Sequence, residues 1–110
     1  MESNNKNAKS IDQALSNIKV CDPAIGSGAF SVGMLHEIVK ARKVLELYLK
    51  KEETTYTLKR HCIQESIYGV DIDPGAIDIA KLRLWLSLVV DEEDFKNIHC
   101  SDRLIWRSAR

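Results

Sequence analysis

Nine consecutive residues carry the densest chemical signal in this chain: Asp22-Pro23-Ala24-Ile25-Gly26-Ser27-Gly28-Ala29-Phe30. They follow a brief apolar run, Ile18-Lys19-Val20-Cys21, and precede a long helical pattern. That order reads as a bend from a buried strand into a helix. Gly26 and Gly28 remove side chains where the backbone must turn tightly, and they let a ligand come close. A helix starting near Ala29 offers free N–H groups to an anionic group. Such a bend can be merely a turn, but a second signal weighs against that. Asp71 lies at the tip of a second apolar run, Ile67 to Ile72. In an open parallel sheet, ligands bind at the carboxyl ends of the strands. A carboxylate there can accept both hydroxyl protons of a ribose, and its neighbour Ile72 can pack on an adenine ring. Asp73 needs no such role, because a helix cap before Pro74 explains it. Asp102, in Cys100-Ser101-Asp102-Arg103-Leu104, could accept a bond from an adenine amino group, or be an ordinary loop aspartate.

The spacing narrows the ligand. A dinucleotide fingerprint needs G-x-G-x-x-G, and here Ser31 stands at the third glycine position. Asp71 also follows Gly28 by far more than the roughly 20 residues of dinucleotide folds. No G-x-x-x-x-G-K-[ST] occurs, which removes an ordinary nucleotide P-loop. An adenosine cofactor carrying a carboxylate and no phosphate fits better, and S-adenosylmethionine is one.

Around these residues the elements alternate. Ser10-Ile11-Asp12-Gln13 has the form of a capping box, which predicts a helix over about 11–17 and leaves residues 1–9 as a mobile polar tail. A long helix is expected over 29–51, with Met34, Ile38, Ala41, Val44, Leu45 and Tyr48/Leu49 as its buried stripe and Arg42 off it. A shorter helix follows from Thr54/Thr55 to about Gln64. After the second strand, Asp73-Pro74 starts a helix that runs to about Val90 and is apolar nearly all round, so burial on more than one side is expected. Asn97-Ile98-His99-Cys100 reads as a third, weaker strand. The alternation implies a parallel α/β unit.

Composition sets outer limits. The 110 residues hold 16 Lys+Arg against 16 Asp+Glu, so the chain is neither a basic nucleic-acid tail nor an acidic disordered one. No apolar run approaches the about 20 residues of a bilayer span, and residues 1–10 lack the apolar core of a secretory signal, so a cytoplasmic protein is expected. Cys21, Cys62 and Cys100 form no C-x-x-C pair, and His36, His61 and His99 have no metal-site spacing, so no metal is expected. Trp85 reads as core or interface. The clusters Lys40-Ala41-Arg42-Lys43, Lys50-Lys51 and Lys59-Arg60 read as solvated helix faces.

Three segments together resemble a known family. Asp22 to Phe30, Tyr68-Gly-Val-Asp-Ile-Asp-Pro-Gly-Ala-Ile77 and Ala80-Lys-Leu-Arg-Leu-Trp-Leu-Ser-Leu88 closely resemble adenine-specific DNA methyltransferases. The nearest group is the large single-chain type II restriction–modification enzymes and their phage-exclusion relatives. The resemblance covers roughly residues 15–105. It implies an incomplete class I, Rossmann-like S-adenosylmethionine-dependent fold, with parallel strands in the order 3-2-1 and helices mainly on one face. It implies that Asp22, Ala24, Gly26, Ser27, Gly28 and Phe30 belong to the methionine-side pocket. Asp71 then holds the ribose, Ile72 packs on the adenine, and Asp102 meets the adenine amino group. Ser31 stands where many members carry proline, and Arg103 where the residue is often small or apolar.

One family feature is missing from these residues. Members transfer the methyl group at an Asn/Asp-Pro-Pro-Tyr/Phe motif, and the two prolines here, Pro23 and Pro74, are not adjacent. Residues 10–110 are therefore expected to be the N-terminal part of the methyltransferase domain, able to bind cofactor but inactive alone. DNA would be the partner of the complete prokaryotic enzyme and not of this piece. An uncovered sheet face or edge would favour self-association. The alternatives are a stand-alone S-adenosylmethionine-binding or regulatory module, or a truncated product without function.

Overall fold

A computed structural model of the chain describes residues 2–90. Helix α1 spans Glu2–Asn17, strand β1 Val20–Asp22, and helix α2 Ala29–Leu49. Helix α3, Thr55–His61, continues directly into a π-helical turn, Cys62–Ser66. Strand β2 is Ile67–Gly69 and helix α4 is Pro74–Val89. The two strands pair in parallel, with Val20 opposite Ile67, Cys21 opposite Tyr68 and Asp22 opposite Gly69. The described chain is thus mostly helical around a small parallel sheet, compatible with part of a methyltransferase fold. The expected third strand, Asn97–Cys100, and with it the 3-2-1 order, lies outside the described residues.

Local signals account for most boundaries. Asp73 caps α4: its Oδ1 accepts from the Gly75 N–H at 2.9 Å, and Pro74 takes the first helical position, where a missing N–H costs nothing. Thr54 caps α3 through its side-chain oxygen, which accepts from the Thr57 N–H at 3.1 Å. Helix α2 ends at Lys50, whose φ of 52° is left-handed. That conformation breaks the helical ladder.

The start of the chain differs from expectation. Helix α1 begins at Glu2, and Ser10 lies inside it, so the capping box is not used. The physical reason is tertiary. Ala8 and Asp12, one turn apart and on either side of Ser10, are both buried, and α1 packs against α2. Burial of that face carries the helix through residues whose own propensity is modest.

The core joins α2, α3, the π turn, β2 and α4. Leu35, Ile38, Val39, Leu58, Cys62, Ile63, Ile67, Leu84 and Leu88 form one cluster, with Val20, Val32, Met34 and Tyr56 packed against it. On α2 the buried residues are Ser31, Leu35, Ile38, Val39 and Arg42. This stripe is rotated from the expected one, since Val44 and Tyr48 are exposed and Met34 is half-buried. Arg42 is inside because α1 supplies its counter-ion: Arg42 Nε meets Asp12 Oδ1 at 2.9 Å. Lys59, expected in solvent, is also nearly buried and donates from Nζ to the Ser87 carbonyl at 3.2 Å, which ties α3 to α4. Burial pushes the Cys62 thiol up to about 11. Cys62 is therefore a neutral apolar filler at neutral pH.

Helix α4 is covered on one side. Ile77, Ala80, Leu84 and Leu88 are buried. Ile79, Leu82 and Leu86 are exposed on the other face, and Val90 is exposed at the C-terminal end. Burial on more than one side is thus not seen among the described residues. Nor does any described helix have the length and apolarity to cross a membrane.

Candidate functional site

The site begins where β1 and β2 end side by side. Past the strands, parallel pairing continues: the Val70 N–H donates to the Asp22 carbonyl and the Ile25 N–H to the Val70 carbonyl, each at 3.0 Å. These bonds fasten the bend after β1 to the chain after β2. Asp22 is half-buried, and its Oδ1 accepts from the Ala24 N–H at 3.0 Å, which turns the chain at Pro23. Ile25 points inward and forms a small buried cluster with Ile77 and Ala80 of α4. Gly28 then closes the bend, its N–H donating to the Ile25 carbonyl at 2.9 Å.

Two glycines make this path possible. Gly26 has φ 53° and Gly28 has φ 81°, both in the left-handed region that side chains disfavour. Gly28 is also a contact point. A Cβ on it would lie 3.0 Å from Ala80 Cβ and 3.1 Å from Ala80 Cα. The N-cap residue of α2 is thereby seated directly on α4.

Asp71 bridges the two loops. Its Oδ2 accepts from the Gly26 N–H at 2.9 Å, and its Oδ1 accepts from the Asp73 N–H at 2.9 Å. The two residues of the main contact are 45 positions apart in sequence. The Asp73 N–H, then the Gly26 N–H, hold the Asp71 carboxyl below its ordinary value against a smaller effect of burial, with the Ile72 N–H adding to the lowering. Each carboxylate oxygen has two lone pairs, so after the bonds from the Gly26 and Asp73 N–H groups each has a second acceptor position. Ile72 beside it is fully exposed, and Phe30 at the start of α2 is 56% exposed. An exposed apolar side chain adjacent to an ionised acid offers both a packing surface and hydrogen-bond acceptors to a ligand.

Asp22, Ala24, Gly26, Ser27 and Gly28 thus lie along one bend, with Phe30 at its helical end, and Asp71 and Ile72 lie on the adjoining loop. Asp102 is outside the described residues. Three further residues shape the bend. Ile25 anchors it from within, Ala80 supports Gly28, and Arg83 Nη1 donates to the Ser27 carbonyl at 3.2 Å and to Ser27 Oγ at 3.3 Å. Ala80 and Arg83 are one helical turn apart on α4. No local pattern marks them, because their partners lie far off in sequence. No group of three His, Cys, Asp or Glu among the described residues could hold a metal ion.

The family model for the MmeI DNA-methyltransferase domain matches residues 1–104. The chain belongs to that family. Two curated relatives agree. One, in Methanocaldococcus jannaschii, is named as a type II restriction enzyme and methyltransferase and is 38% identical over 104 residues, covering 83% of this chain and 9% of its own length. The other, named DNA methyltransferase A, in Bacillus subtilis, is 31% identical over 80 residues, covering 73% of this chain and 9% of its own length. The chain thus spans about 9% of each of these relatives. No solved structure matches it.

Proposed function

We propose that these 110 residues are the S-adenosylmethionine-binding portion of an adenine-specific DNA methyltransferase of the restriction–modification or phage-defence kind. The observation that carries the reading is the bond from the Gly26 N–H to Asp71 Oδ2, 2.9 Å. It brings the glycine bend and the strand-tip acid together at the carboxyl ends of adjacent parallel strands, where such sheets take ligands. The second acceptor positions of the Asp71 oxygens receive the two ribose hydroxyls. Ile72 lies against the adenine ring, and the bend from Asp22 to Phe30 surrounds the methionine moiety. Asp102 receives the adenine amino group. When bound, the cofactor supplies an electrophilic methyl group on its sulfonium.

The chain's own part is to bind and orient. Its two prolines are separate, so the Pro-Pro motif that in the family accepts bonds from the target amino group is not among these residues. That motif meets a base taken out of its stack. We assign cofactor binding to these residues and methyl transfer, with DNA as partner, to the complete cytoplasmic enzyme. Isothermal titration of the chain with S-adenosylmethionine tests the assignment. Saturable heat is expected from the wild-type chain, and Asp71→Ala should abolish it while leaving the far-ultraviolet circular dichroism unchanged. Equal affinity in the variant would refute the ribose role.

A further inference from the structure

We infer that Arg83 is a positioning residue for the cofactor bend, holding Ser27 from α4 in the shape that receives the methionine moiety; this rests on the cofactor reading above. Ser27 lies between two left-handed glycines, Gly26 at φ 53° and Gly28 at φ 81°. The peptide planes on both sides of it therefore have low barriers to reorientation. The bend needs that freedom to form, and the same freedom must be removed for a ligand to find it pre-shaped.

Every other tie on the bend acts on a neighbour of Ser27. The Ile25 N–H is held by Val70, the Gly26 N–H by Asp71, and the Gly28 N–H by Ile25. Ser27 itself is held by Arg83 alone among the described hydrogen bonds, through both its carbonyl and its hydroxyl. A single guanidinium nitrogen makes both contacts across 56 positions of sequence. Its helix is not free to drift, because Ala80, one turn earlier, is packed under Gly28. Ala80 and Arg83 thus form a two-point seat: one contact sets the height of the bend and the other sets the direction of the Ser27 carbonyl. Arginine suits this task because its charge persists at any working pH and its donors are fixed in a planar fork. Both Arg83 and Ser27 are exposed, so removing the contact should spare the core.

Amide hydrogen exchange by NMR on the free chain tests the seat without any ligand. In Arg83→Ala, the Gly26 and Gly28 amides should exchange about tenfold faster, the size expected for one charged hydrogen bond. The Leu35 and Leu84 amides in the core should not change. Calorimetry supplies the second arm. S-adenosylmethionine should bind about tenfold more weakly to Arg83→Ala, while adenosine, which lacks the methionine moiety, should bind as to the wild type. Arg83→Lys, which keeps a charge but not the fork, should recover part of the loss. Unaltered exchange in Arg83→Ala overturns the inference, as does an equal loss for adenosine and S-adenosylmethionine. Should the wild-type chain take no S-adenosylmethionine, the cofactor reading falls, and the exchange arm still decides whether Arg83 holds the bend.

Discussion

Asp71 is held by backbone N–H groups on two loops, so its protonation and the shape of the site are linked. Its folded-state pKa is depressed below the ordinary value of 3.8, chiefly by the Asp73 N–H and then by the Gly26 N–H. A depressed acid stabilises the fold fully above its unfolded value, and that contribution is lost as pH falls through the lower folded value. The bridge is therefore expected to be intact at neutral and mildly acidic pH. An NMR titration of the Asp71 carboxyl should give a midpoint below 3.8, and a midpoint at or above it would show that the two N–H contacts are not made. Gly28 tests the same bend sterically. Gly28→Ala must place a side chain in a left-handed conformation and press it against the α4 backbone. A loss of about 2 kcal/mol or more in urea unfolding is expected, within the range for strained non-glycine backbone. Gly26 and Gly28 were legible as a bend from sequence, because a strand followed by glycines and a helix is a local pattern. That Gly28 rests on Ala80 was not legible, because only the crossing of two helices makes the pair.

At the scale of elements, the pairing of α1 with α2 departs most from the sequence reading. Ser10 has the residue types of a helix start, yet burial of Ala8 and Asp12 against α2 carries α1 through it. Arg42 has the type of a solvent residue, yet it is buried beside Asp12, with Glu53 at 4.0 Å as a more distant partner. Asp12→Ala leaves the guanidinium inside without its close counter-ion. The expected cost is about 3 kcal/mol, at the lower end for breaking a buried pair because Glu53 remains. Chemical denaturation should show it as a lower midpoint with an unchanged slope. Replacing both residues with apolar ones of similar size should cost much less, since no charge is then stranded. The Asp73-Pro74 start of α4, by contrast, is where the sequence places it. A cap acts over three residues and needs no partner from elsewhere.

Over the whole molecule, apolar surface is unevenly covered. Ile72, Ile79, Leu82, Leu86 and Val90 are exposed; Ile79, Leu82 and Leu86 share one face of α4, and Val90 caps its C-terminal end. The expected association surface was a sheet face or edge; most of the exposed apolar area among the described residues is helical. A patch of this kind favours association in water. Light scattering coupled to size exclusion should show the isolated chain associating as concentration rises. Leu82→Lys combined with Leu86→Lys should reduce that association without unfolding the core, because both side chains point away from Leu84 and Leu88. A sharp monomer peak at every concentration would contradict the expectation.

What could be read along the chain is what acts between near neighbours: a parallel α/β pattern, the glycine bend, the acid at the second strand tip and the capped start of α4. Packing settled the rest. It chose which of several apolar faces of α2 is buried, drew Arg42 inward, extended α1 and set Arg83 on Ser27. Each of those outcomes depends on a partner dozens of residues away. Helical periodicity lists the faces that can be buried, but the free energy of covering one is defined only once the opposing surface is in place.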